Sequence, residues 1–117
     1  DDLSYKIGNK ILNNKLNDPS LEITYQGPVI EFQQNTNIAL TGAQISNANI
    51  NGKTVPFWES LAIKEGDVLD LSSHIQGIGA RSYLSIEKGF VAPTYLGSKT
   101  SFPLGKLGGK DGNGSVL

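Results

Sequence analysis

Arg81 and Tyr83 stand two residues apart in the segment GARSYLSIEKGF, on the opposite side of an alternating stretch from Leu84 and Ile86. A guanidinium carried on a rigid strand grips a carboxylate through two parallel N–H bonds, which suits Arg81 to anchoring a small acid. A surface ion pair, or a cap at the end of a barrel, would use the same residue, and on the sequence both readings of Arg81 stand. Downstream, Gly97, Ser98 and Lys99 open a glycine-rich run over 97–114. Its backbone amides, with Lys99, Lys106 and Lys110 nearby, suit an anion nest, although an ordinary loop has the same composition. The run holds neither the phosphate-loop pattern ending in Gly-Lys-Ser/Thr nor glycines at the first, third and sixth positions, so its glycine count alone supports no nucleotide site.

Other reactive side chains are few. His74 is the single histidine and sits in the polar linker SSHIQGIG. Paired-histidine zinc sites are therefore excluded, and His74 reads as a solvated loop residue. Trp58 follows Pro56 and Phe57 and reads first as half of a buried aromatic pair closing one barrel end, with a ligand-stacking surface as the other reading. Glu59 beside it is a carboxylate with no partner, a weak candidate for acid–base work. The chain has no cysteine, which removes disulfides, thiolate metal sites and cysteine nucleophiles and leans the location towards the cytoplasm. Ten basic residues against eleven acidic ones, with no run of either sign, give no field to draw in nucleic acid or an anionic membrane. No apolar run approaches the roughly 20 residues that cross a bilayer.

The elements that must position these residues follow from periodicity. In 117 residues, 38% of them apolar, one domain with a single modest core is expected. Leu3, Ile7 and Ile11, spaced by four with Leu12 beside them, predict a helix over 2–13. Asp1 and Asp2 favour its start, Asn13 and Asn14 its stop, and Gly8 weakens it by about 1 kcal/mol relative to alanine. After Pro19 the period becomes two. Leu21, Ile23 and Tyr25 share one face, Gly27-Pro28 turns the chain, and Asn51-Gly52 suits a type I′ hairpin. Further short strands, a Glu65-Gly66-Asp67 turn and an eighth candidate strand from Ala80 to Glu87 make up a β-rich region over 21–87. The expected class is α+β and β-rich, with one N-terminal helix followed by a small antiparallel barrel or sandwich.

The order of motifs IALTGA, NGKTVPFW, KEGDVLDL, GARSYLSIEKGF, LGSKTSF and LGG resembles the family of the C subunit of 5-oxoprolinase, known also as biotin-dependent carboxyltransferases related to allophanate hydrolase subunit 2. The Kip-type antagonist of a sporulation-kinase inhibitor is similar too. The opening DDLSYKIGNKILNN looks like the family's helix after a Gly-Pro-Met-Asp loop, with Asp1 in the place of that loop's aspartate. Since family members are two to three times longer, the resemblance implies that 1–117 is the N-terminal part of a longer chain, with a cyclophilin-like barrel. Three departures stand out. Asn113 replaces the arginine of a Gly-Gly-x-x-Gly-Arg motif, Glu87-Lys88-Gly89-Phe90 replaces Ala-Gly-Gly-Ile, and Lys99 replaces an arginine, keeping charge without the planar fork.

The resemblance implies one component of an ATP-dependent 5-oxoprolinase, opening 5-oxoproline to glutamate with two partners, a B-like (Kip inhibitor-like) protein and an A-like protein of the same complex. Alternatives are a urea carboxylase-type module taking a carboxyl group from carboxybiotin, and a regulatory protein antagonising a Kip-type kinase inhibitor. The two enzymatic readings concern a small amide and need a cationic anchor with donors for developing oxyanion charge. Arg81 and Asp1 are then the catalytic candidates, with Tyr83, Gly97, Ser98 and Lys99 binding substrate; no metal is implied, and no cofactor is assigned to these 117 residues.

Overall fold

Alternating apolar residues become strands wherever two neighbours can cover both faces of the pleat. The computed structural model describes residues 2–77, 79–87 and 94–96. After helix α1 (Asp2–Ile11) come β1 (Ser20–Thr24), β2 (Val29–Glu31), β3 (Thr36–Gly42), β4 (Asn49–Ile50), β5 (Lys53–Thr54), β6 (Ser60–Ile63), β7 (Val68–Asp70), β8 (Arg81–Ile86) and β9 (Thr94–Leu96). They form two antiparallel sheets, one ordered β1-β8-β3-β6 and the other β5-β4-β7-β2-β9. The expected β-rich class with one N-terminal helix is the observed one.

The register explains the core. Leu84 of β8 lies opposite Leu21 of β1 on one side and Leu40 of β3 on the other. With Ile23, Ile38, Ile63 and Ile86 these side chains pack against Ile30, Phe32, Leu69 and Leu71 from the second sheet and its flanks. Asn51 and Gly52 form the two-residue hairpin between β4 and β5, both at positive φ, as the Asn-Gly dipeptide predicts.

The outer face of the first sheet carries α1, which packs on β3 and β8. The helix and the turn after it bury Ser4, Tyr5, Gly8, Asn9 and Leu12, whereas Leu3 is 63% exposed and Ile7 and Ile11 are half-buried. The expected Leu3-Ile7-Ile11 stripe is thus rotated away from the contact. The reason lies in the surface beneath. Thr41, Tyr83 and Ser85 present hydroxyls and a ring rather than aliphatic side chains, so small residues let the helix approach closely. A Cβ on Gly8 would collide with Ser85 Oγ, so the glycine that weakens the isolated helix is what permits the packing. The helix stops as its asparagines suggest. The Asn14 N–H donates to the Asn9 carbonyl and the Asn13 N–H to that of Lys10, with Asn13 at φ 61°, a left-handed cap. Buried Asn9 then donates through Nδ2 to the carbonyls of Leu16 and Asp18, and Asn14 Nδ2 donates to that of Ile86, tying the turn to the end of β8.

Candidate functional site

Arg81 is the first residue of β8, a strand flanked on both sides, so its backbone is held from two directions. Its carbonyl accepts from the Ala43 N–H at 2.9 Å, and the Ser82 hydroxyl donates to the Ala43 carbonyl. This clamp depends on Gly42, at φ 88°, where a Cβ would lie 2.5 Å from the Arg81 carbonyl oxygen. Only glycine accepts both the left-handed backbone and that approach.

The Arg81 side chain is half exposed and reaches diagonally across the sheet to Glu22, with Nη1 3.2 Å from Oε2. Tyr83, expected to bind substrate, is buried, its ring 6.2 Å from that of Tyr5. Its hydroxyl donates to the same Glu22 oxygen at 3.5 Å. Tyr83 therefore sits behind Arg81, bracing the carboxylate that orients the guanidinium. Arg81 makes the solvent-facing ion pair that one sequence reading gave it, and it also lines two clefts.

One cleft, of about 610 Å3, is lined by Thr24, Tyr25, Ile75, Gly77, Gly79, Ala80 and Arg81. The other, of about 550 Å3, is lined by Ser4, Gly42, Ala43, Trp58, Gly79, Ala80 and Arg81. Gly79, Ala80 and Arg81 form the wall shared by the two. Each cleft also carries an aromatic residue with a left-handed backbone, Tyr25 at φ 66° and Trp58 at φ 67°. For side chains of this bulk such a conformation is an outlier that costs about 1–3 kcal/mol and persists only where the surroundings enforce it. Around Tyr25 the enforcing contact is a γ-turn, closed by the Gln26 N–H on the Thr24 carbonyl at 2.7 Å. Around Trp58 it is the Trp58 N–H on the Leu40 carbonyl, also at 2.7 Å.

Two aromatic side chains lie elsewhere than their sequence neighbours suggest. Tyr25 does not share the buried face of Leu21 and Ile23; its positive φ turns it out of the strand, 72% exposed, with its ring 5.1 Å from that of His74. Trp58 is not the buried partner of Phe57. Phe57 enters the core, and the backbone reversal leaves Trp58 43% exposed on the cleft. His74 is exposed, as its polar linker suggests. Glu59 is exposed and outside both cleft linings. Asp1, Gly97, Ser98 and Lys99, with the glycine-rich run, lie outside the described residues. Glu22 escaped the sequence reading because only the register of β1 against β8 brings it to Arg81. Among the described residues no cluster of three or more His, Cys, Asp or Glu side chains could hold a metal, and no helix is long and apolar enough to cross a membrane.

Comparison with known proteins agrees with the motif order. Urea amidolyase of Lachancea kluyveri is 36% identical over all 117 residues, a region spanning 6% of that protein's length. The C subunit of 5-oxoprolinase from Escherichia coli is 34% identical over 108 residues, 92% of this chain and 34% of the relative. The crystal structure of Kluyveromyces lactis urea carboxylase superposes with a TM-score of 0.71 at 35% identity, covering 97% of this chain and 10% of that one. The chain thus spans only a part of the length of each of these relatives. Residues 1–115 match the family described as carboxyltransferase domain, subdomain A and B, and the chain belongs to that family.

Proposed function

We propose that this chain forms part of a site at which a carboxyltransferase-family enzyme handles a small amide, with Arg81 as the anchor for a carboxylate. The observation that carries the reading is the position of Arg81, on a clamped backbone in the wall between two clefts. A preorganised cation there stabilises negative charge as an amide or carboxyl group reacts. The Glu22 pairing sets the direction of the guanidinium, and Tyr83 steadies Glu22.

Two substrates fit this chemistry. In the 5-oxoprolinase reading, supported by the C-subunit relatives, the protein works with its B-like and A-like partners and ATP, and water opens the ring amide of 5-oxoproline to give glutamate. In the urea carboxylase-type reading, a urea nitrogen loses a proton and gains a carboxyl group; it is favoured by the 36% identity over the full chain. The donor in that second reading is carboxybiotin, which supplies the carboxyl group when bound. The residues present fit such a group: Arg81 would hold its carboxylate, while Tyr25 and Ile75 would cover its apolar side. With no cysteine in the chain, a cytoplasmic location accords with either substrate.

The test is turnover by the intact protein, assayed on 5-oxoproline with its B-like and A-like partners and ATP, and on urea with carboxybiotin supplied as the donor. Glutamate release from 5-oxoproline that requires ATP supports the first substrate, and biotin-dependent carboxylation of urea supports the second. Partner binding without turnover of either amide would favour a purely regulatory role and overturn the proposal.

A further inference from the structure

We infer that Trp58 is the platform of a subsite for a planar amide carboxylate, its indole covering the flat face of the ligand while Arg81 takes the carboxylate. The inference rests on the proposed role of Arg81 and adds what the second half of the site recognises.

Four observations converge on it. Trp58 and Arg81 line the same cleft of about 550 Å3, a volume suited to a small molecule. Trp58 is 43% exposed although the adjacent Phe57 is buried, so the two aromatics are directed to different ends: one fills the core and the other is left facing solvent. Its backbone is held at φ 67°, a conformation that a residue with no task beyond filling space would avoid. The remaining lining, with Ser4, Gly42, Ala43 and Ala80, is small. Small walls leave room for a ligand over the indole, whereas the ring pairs among the described residues, Tyr5–Tyr83 and Tyr25–His74, involve other aromatics.

A flat face and a cation in one cleft select a ligand with both features. A lactam or ureido group bearing a carboxylate has them. Acetate lacks the amide plane, and 2-pyrrolidone lacks the charge. An aromatic platform is also tolerant of the exact amide, which suits a site on a fold whose relatives carry the names of both urea and 5-oxoproline enzymes.

The test is calorimetric titration of the intact protein with 5-oxoproline, acetate and 2-pyrrolidone. 5-Oxoproline is expected to bind at least ten-fold more tightly than either fragment. Trp58→Tyr should keep affinity within about two-fold, since a phenol ring still offers a face. Trp58→Ala should lose five-fold or more. Trp58→Asn, which tolerates the left-handed backbone, guards against misfolding and should show the same loss with an unchanged circular dichroism spectrum. The emission difference between wild type and Trp58→Phe should shift on adding 5-oxoproline. Wild-type affinity in Trp58→Asn, or an indole emission unmoved at saturation, overturns the platform. If Arg81→Ala abolishes that binding while Trp58→Asn leaves it intact, the Arg81 anchor stands and only the platform falls. A wild-type protein that binds none of the three compounds overturns the platform, and the turnover assay then decides the anchor separately.

Discussion

Two aromatic residues held at positive φ are unusual in a chain this short, and each invites a substitution that reports on its surroundings. Tyr25 is 72% exposed, so replacing it removes little buried surface while glycine accepts its backbone without strain. Tyr25→Gly should therefore stabilise the protein by about 1 kcal/mol, a rise of several degrees in melting temperature measured by calorimetry. An unchanged or lower melting temperature would show that the turn is not strained. The opposite sign is expected at Gly42, where a methyl group would meet the Arg81 carbonyl oxygen at 2.5 Å. Gly42→Ala should cost more than about 1 kcal/mol by the same measurement and lower ligand affinity with it, since the clamp beneath Arg81 must open. Arg81 stood out in the sequence because it is a charged residue at the start of an apolar strand. Trp58 was misread because Pro-Phe-Trp gives no sign of which ring turns inward; that depends on a backbone reversal that neither hydropathy nor period reports.

At the scale of elements, the strands were read well and the helix face was not. Alternation identifies a strand because one face must be buried, and Leu21, Ile23, Ile38, Leu40, Leu84 and Ile86 obey it. The same rule fails for α1, whose partner surface is a patch of hydroxyls under a glycine rather than an aliphatic groove. Among the described residues the Thr41 and Ser85 hydroxyls have no hydrogen-bond partner there. Ser85→Ala should accordingly be neutral or stabilising by up to about 1 kcal/mol, because it deletes a buried polar group whose desolvation is uncompensated. Gly8→Ala should destabilise although alanine favours the isolated helix by about 1 kcal/mol. In the double variant the loss should be partly relieved, a coupling of at least about 0.5 kcal/mol in a denaturation cycle. Additive effects would mean that the helix does not sit on Ser85. Asn9 offers an independent check. Asn9→Ala leaves the Leu16 and Asp18 carbonyls without that donor and should cost about 1–3 kcal/mol in the same denaturation experiment.

At the scale of the whole molecule, two sheets and a helix bring residues from β1, β3, β8 and the loops between them to one end of the first sheet, where Arg81 stands. The order of motifs along the chain, with GARSYL and NGKTVPFW among them, pointed to the family that residues 1–115 match. The geometry of the site was less legible, because the pairing of Arg81 with Glu22 depends on the register between two strands far apart in the sequence. In the proposed site Arg81 anchors a carboxylate rather than merely closing a surface ion pair. This role is tested most directly by turnover and melting temperature of Arg81→Lys measured on one preparation of the intact protein. Lysine keeps the charge and loses the fork, so the account predicts turnover reduced about ten-fold or more, about 1.4 kcal/mol of transition-state stabilisation, with the melting temperature nearly unchanged. Full turnover with a lowered melting temperature would contradict it and leave Arg81 as part of the scaffold.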